Sequence, residues 1–239
     1  METKQTLLDV SNLNAFYGRA QILFDVGLKV GRGEVVALMG RNGAGKSTTM
    51  KSVMGLLDRY DGDIRFKKES IRGMDPYKIC KRGLGFVPED RRIFTDLTVM
   101  ENLEVGRLPN RLDAPSWDPE KLFKLFPNLG EMPNRPGGQM SGGEQQMLTI
   151  SRTLMGNPYL VLLDEPSEGV APLIVEQMAE MIVELKKEGL SVLLSEQNIH
   201  FAKLVSDRAY ILENGHLRYH GKMAELAADE ATQKKYLSV

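Results

Sequence analysis

The sequence predicts an α/β fold, with a mixed central sheet, an antiparallel β part near the N-terminus and a helical subdomain inserted before the last strands. Three observations carry this. The stretch Gly40-Arg41-Asn42-Gly43-Ala44-Gly45-Lys46-Ser47-Thr48 matches the phosphate-loop pattern G-x4-G-K-[ST], with an apolar run at 34–39 before it and a helix-compatible run at 48–54 after it. Further apolar runs at 83–87, 159–163 and 191–194 read as strands that lead into polar or acidic residues, at the edge where α/β sheets keep their ligands. Between Thr95 and Met155 the pattern turns mainly helical.

Taken in order, residues 7–13 and 22–28 predict two strands joined by a polar turn at Gly18-Arg19, an antiparallel edge ahead of the phosphate-loop strand. Tyr17, in that turn, offers an aromatic face that can stack on an adenine ring. In the phosphate loop, the glycines let the backbone turn tightly so that its N–H groups face a polyphosphate, and the next helix adds its positive end. Lys46 then reaches the β- and γ-phosphates, and Ser47 holds Mg²⁺. Residues 61–66 predict a turn and short strand, and Pro76 begins a helix over 76–82. The strand at 83–87 ends at Pro88 and runs into Glu89-Asp90-Arg91-Arg92.

Helices are predicted at 99–107 and 120–125, separated by a proline-containing segment in which Trp117 serves as a packing anchor. Ser141-Gly142-Gly143-Glu144-Gln145 then opens a helix with Met147, Ile150 and Leu154 at its apolar positions. Ser141 caps it, Glu144 completes a capping box, and the exposed backbone donors make a second anion site. The strand at 159–163 leads to Asp164 and Glu165. Alternation along a strand points these carboxylates different ways, one toward Mg²⁺ and one toward a water attacking the γ-phosphate. An amphipathic helix over 172–188 carries Ile174, Met178, Met181, Ile182 and Leu185 on one face. The strand at 191–194 ends in Ser195-Glu196-Gln197-Asn198. A hairpin with its turn at Asn214-Gly215 and a last helix from Lys222 close the chain.

At 239 residues the chain can bury a full core. Its net charge of −1 comes from 31 basic and 32 acidic residues, with the basic ones scattered in pairs, which argues against a nucleic-acid footprint. Cys80 is the only cysteine, so an intramolecular disulfide is impossible and a reducing compartment is expected. Met1-Glu2-Thr3-Lys4-Gln5 lacks the features of a signal peptide, and no apolar run approaches the roughly eighteen residues that span a bilayer, so a cytosolic location is expected. His200, His216 and His220 have no metal-ligand spacing.

Together these residues resemble the ATP-binding subunits of ABC transporters over essentially the whole chain. The match consists of the phosphate loop, Ser141 to Gln145 as signature motif, residues 160–165 as Walker B strand, Ser167-Glu168-Gly169 at the D-loop and Tyr17 at the A-loop. The resemblance implies a P-loop NTPase of the ABC type. Its core is expected at 1–94 and 156–239, and its helical, signature-bearing subdomain at 95–155. It also implies ATP hydrolysis with Mg²⁺ by two cassettes facing head to tail, where Ser141, Gly142 and Gly143 of one chain contact the γ-phosphate held by the phosphate loop of the other. Glu165 then stands as the general base and Asp164 as a Mg²⁺ ligand.

Two positions depart from the general pattern. Glu89 occupies the place of a glutamine and is expected beside the metal, and Gln197 occupies the place of the switch histidine. Gln197 can donate a hydrogen bond to a γ-phosphate oxygen but carries no charge. With the surrounding segments, these residues look like the branched-chain amino acid uptake branch and most resemble the shorter of its two ATPase subunits. The implied partners are a second ATP-binding subunit, two integral-membrane permeases and, indirectly, a periplasmic solute-binding protein. The implied location is cytoplasmic, on the inner face of the membrane. Glu89 and the helical subdomain are expected to form the groove for a permease helix. A lipopolysaccharide-type exporter ATPase, or an importer of urea, short amides or aromatic acids, is the alternative.

Overall fold

The computed structural model describes residues 5–237. Residues 1–4, within the segment that lacks signal-peptide features, lie outside the described residues. Strands β1 (Thr6–Tyr17) and β2 (Ala20–Gly31) form the predicted hairpin across Gly18-Arg19, and both are longer than predicted. The extra length is accommodated by breaks in register, with Asn12 (φ 53°) and Asp25 (φ 48°) in the left-handed region. The Asn14 amide pins the break, donating to Asp25 Oδ1 at 3.0 Å and accepting from Asp25 N at 3.2 Å.

These strands are not an edge of the central sheet. They belong to a separate antiparallel sheet of order β2-β1-β4-β5, completed by β4 (Arg59–Phe66) and β5 (Glu69–Ser70). The physical reason is that β1 is paired on both sides, by β2 and by β4, and so has no edge to offer the phosphate-loop strand.

That strand, β3 (Val35–Met39), lies in a six-stranded sheet with β6 (Leu84–Val87), β7 (Leu160–Asp164), β8 (Ser191–Glu196), β9 (Arg208–Glu213) and β10 (His216–Lys222). The order is β10-β9-β3-β8-β7-β6, parallel except for the β9–β10 hairpin. Asn214 (φ 47°) and Gly215 (φ 76°) make that hairpin's two-residue turn, as an Asn-Gly pair should. Both faces of the sheet are covered, so its strands read as apolar runs. In β7, Val161 and Leu163 face one core cluster while Leu160 and Leu162 face the other.

Helices α1 (Lys46–Val53) and α2 (Pro76–Lys81) lie on the side of the antiparallel sheet. Between β6 and β7 the chain runs through α3 (Val99–Gly106), α4 (Pro119–Leu125), α5 (Pro127–Gly130) and α6 (Gly142–Leu154). These pack with α7 (Pro172–Lys187) and the opposite face of the sheet into one core that includes Trp117, Leu122, Met147, Met178 and Ile182. After α8 (Ile199–Val205), the single tail helix predicted from Lys222 proves to be two, α9 (Met223–Ala228) and α10 (Glu230–Tyr236). They divide at Asp229, whose carboxylate accepts from Thr232 N at 3.0 Å and so caps the second. Among the described residues, no helix is long and apolar enough to cross a membrane.

Candidate active site

The phosphate loop begins where β3, fully buried, delivers the chain to Gly40. Gly40, Gly43 and Gly45 take φ of 151°, 78° and 110°. A Cβ at Gly40 would lie 2.4 Å from the Leu212 carbonyl oxygen, and one at Gly45 would lie 2.5 Å from Leu23. The loop is therefore a cradle that only glycine can line at these points. Gly45 precedes α1 without any side-chain cap, which leaves the first N–H groups of the helix to an anion. Ala44 and Thr48 are buried, whereas Arg41, Asn42 and Gly43 are exposed on the rim. The tail hairpin buttresses the loop, with Gly215 N donating to Ala44 O at 2.9 Å.

Lys46 is buried, and its ammonium donates to Gly40 O at 2.8 Å and Arg41 O at 3.1 Å and pairs with Glu165 Oε1 at 3.0 Å. Asp164, at the end of β7, is the acceptor for two hydroxyls: Ser47 Oγ at 3.0 Å and Ser195 Oγ at 2.7 Å. Ser195 Oγ also accepts from Glu165 N at 2.9 Å. The carboxylates do diverge, but not through strand alternation. Glu165 has already left the strand, with φ 47°, and this turn aims it at Lys46.

Burial pushes Asp164 up from the ordinary carboxylate range, against the lowering effect of the Ser195 and Ser47 hydroxyls. Burial also pushes Glu165 up, but a hydrogen bond with Glu168 and the Lys46 charge outweigh it and leave Glu165 below its usual value. Glu168 is raised to about 7, by that hydrogen bond, by partial desolvation and by the charge of Glu165. Of the two, Glu168 holds a proton more readily and Glu165 gives one up more readily.

Tyr17, Glu89 and Asp164 line one cavity of about 510 Å³ together with Lys51, Pro88 and Asp90. Tyr17 is 49% exposed. Glu89 is exposed and makes no ion pair among the described residues. Gln197 follows β8, half-buried, and its amide makes no hydrogen bond among the described residues.

The segment expected to make a second anion site stands at the start of α6. Ser141 N donates to Glu144 Oε2 at 2.7 Å and Ser141 Oγ accepts from Glu144 N at 3.4 Å, the predicted capping box. Gly142 and Gly143 lie close under side chains of other segments: Cβ atoms there would lie 2.7 Å from the Arg91 guanidinium and 3.0 Å from Ile174. Ser141 faces solvent, and among the described residues no hydrogen bond joins residues 141–143 to the phosphate loop.

Sequence reasoning gave no role to Ser195 or Glu196, and it left Glu168 as a motif position only. Ser195 lies beside Asp164 because β7 and β8 are parallel neighbours in that register, which strand order alone reveals.

A family model described as ABC transporter matches residues 23–168. The chain belongs to the ABC transporter family. Over 231 residues it is 42% identical to the high-affinity branched-chain amino acid transport ATP-binding protein BraG of Pseudomonas aeruginosa, covering 97% of this chain and 99% of that protein. It is 35% identical to the lipopolysaccharide export system ATP-binding protein LptB of Escherichia coli, with 96% of each chain covered. A crystal structure of the ADP conformation of an ATP-binding cassette of an ABC transporter superposes with a TM-score of 0.80 at 26% identity, covering 97% of this chain and 98% of that one. This ABC cassette is thus a nucleotide-binding ATP hydrolase that serves a transporter complex with other subunits.

Proposed function

We propose that this chain powers an importer of branched-chain amino acids or similar small amino acid or amide solutes. It works as one of two ATP-binding subunits at the cytoplasmic face of a membrane, with two permeases and, indirectly, a periplasmic solute-binding protein. The similarity to BraG along nearly the whole chain supports the solute class, with Glu89 and Gln197 in agreement. An exporter role like that of LptB is the second reading, favoured by 35% identity over a comparable span.

The observation that carries the mechanism is the joining of the phosphate loop to the end of β7 through Ser47–Asp164 and Lys46–Glu165. The donor set fits Mg²⁺. Ser47 and Asp164 offer hard oxygens 3.0 Å apart, the donor type that Mg²⁺ takes, and the ion draws its remaining ligands from phosphate and water. Ser47 and Asp164 would hold the ion, with Glu89 lining the same cavity as Asp164. When bound, Mg²⁺ neutralises phosphate charge that builds up during transfer.

Residues of the chain do the rest. The N–H groups from Gly40 to Thr48 cradle the phosphates, and Lys46 exchanges its Gly40 and Arg41 carbonyl partners for phosphate oxygens. Tyr17 stacks on the adenine. Glu165, ionised, orients a water and takes its proton, while Gln197 donates to the γ-phosphate. Ser141, Gly142 and Gly143 close on the nucleotide of the second subunit. Mechanically, residues 1–94 and 156–239 act as the core and 95–155 as the moving subdomain.

The test is reconstitution with permeases of a branched-chain amino acid importer. ATP-driven uptake of labelled leucine is expected, and Glu165→Gln should cut hydrolysis by about a hundredfold or more while ATP still binds. Outward movement of a lipid, or wild-type turnover in Glu165→Gln, would replace this reading.

A further inference from the structure

We propose that Glu196 is a positioning residue of the hydrolytic site, a buried carboxylate that ties the turn behind Glu165 to the loop that carries Gln197. The inference rests on the assignment of Glu165 as general base and extends it to a buried side chain behind that base. Glu196 ends β8 with 2% exposure. Its Oε1 accepts from Ser167 N at 3.2 Å and its Oε2 from Asn198 N at 3.3 Å. Ser167 lies two residues after Glu165, and Asn198 one residue after Gln197, so a single carboxylate spans both chemistry-bearing segments.

Burial of a carboxylate is unfavourable unless it is compensated, and Glu196 forms no ion pair among the described residues. Its compensation comes from donors of these two segments. Nothing in the sheet itself asks for an acid here, since Val192, Leu193 and Leu194 of the same strand are apolar core. The turn it holds needs holding. Glu165 at φ 47° occupies a region that a non-glycine residue enters only when its surroundings enforce it. Ser195 O and Oγ fix the Glu165 N–H from one side, at 3.2 Å and 2.9 Å, and Glu196 fixes Ser167 from the other. Release of that second tie frees the base to drift from its place beside Lys46, and it uncouples the base from the Gln197 loop.

Steady-state ATPase of the chain assembled with its permeases tests this, comparing wild type, Glu196→Gln, Glu196→Ala and Glu165→Gln, with rates expressed per molecule able to bind ATP. Glutamine keeps the size and one acceptor but turns an amide N–H toward a backbone N–H, so it breaks one tie. The expected result is a kcat lower by about tenfold in Glu196→Gln and by about a hundredfold in Glu196→Ala, with KM for ATP within about twofold of wild type. Wild-type kcat in Glu196→Gln overturns the proposal. So does a loss in which KM rises and the melting temperature falls in step with kcat, since a merely structural residue would behave that way. Should Glu196→Ala fail to fold, Glu196→Gln alone decides. Wild-type turnover in Glu165→Gln would instead remove the general base on which the proposal stands, an outcome legible whatever the Glu196 variants do.

Discussion

The phosphate loop and the signature are both helix N-termini behind glycines, and they differ in what surrounds them. At α1 no side chain caps the helix, yet Lys46 and Ser47 of its first turn meet Glu165 and Asp164 from the end of β7, and Ser195 of β8 bonds to Asp164. At α6 the cap is complete, with Ser141 and Glu144 satisfying one another, and no side chain from elsewhere in the chain bonds to Ser141 among the described residues. The first arrangement is a site with its chemistry attached. The second is a rigid donor surface turned outward, with the Ser141 hydroxyl proton still available to an anion. On the proposed function, such a chain holds its own nucleotide on the first face and offers the second to a partner's nucleotide.

The strongest way to break this comparison is Ser141→Asp. Aspartate is as good an N-cap as serine, so α6 should stay formed, but the new carboxylate would meet the partner's phosphate with like charge. ATPase and ATP-dependent association should fall by about a hundredfold or more, with ATP affinity of the single chain unchanged, as read by equilibrium nucleotide binding and sedimentation. If single-chain ATP affinity fell as well, the two faces would not be separate.

A smaller effect is expected on the other face. Tyr17→Ala removes the stacking surface at the rim of the cavity shared with Asp164 and should raise KM for ATP by about three- to tenfold at unchanged kcat, while Tyr17→Phe stays near wild type. A change in kcat would place Tyr17 in the chemistry instead.

The smallest effect concerns charge crowding, which only the phosphate-loop face has. Glu168 is raised from its ordinary 4.5 to about 7 by its hydrogen bond with Glu165, by partial desolvation and by the Glu165 charge. The folded chain therefore holds more proton than the unfolded chain across that window, and stability falls as pH rises through it. Glu168→Gln should remove that fall, so that its melting temperature gains on wild type between pH 5 and 8. The gain should be small because Glu168 is solvent-exposed and screened. Parallel stability curves would mean that the Glu168 proton contributes nothing.

Much of the site was legible because its motifs are contiguous. The phosphate loop, the acids after β7 and the capped glycines of α6 are each decided within about ten residues, by glycine geometry, by a strand end and by a capping box. What was not legible depends on neighbours far apart in sequence. Ser195 and Glu196 look like the polar end of a strand until β8 is seen beside β7 with Asp164 opposite Ser195. Strand alternation predicted that Asp164 and Glu165 diverge, but the cause is the left-handed turn at Glu165, which Ser195 and Glu196 hold from outside the motif.

The same division runs through the fold. Apolar periodicity and turn chemistry alone determined the strands, the helix starts at Pro76 and Ser141 and the Asn214-Gly215 hairpin, because each depends on local backbone preference. Only the tertiary structure decided that β1 and β2 form a sheet apart from β3, that the tail holds two helices, and that Lys46 meets Glu165. Those outcomes turn on which edges remain unpaired and which buried charges find partners, and both are properties of the folded chain as a whole.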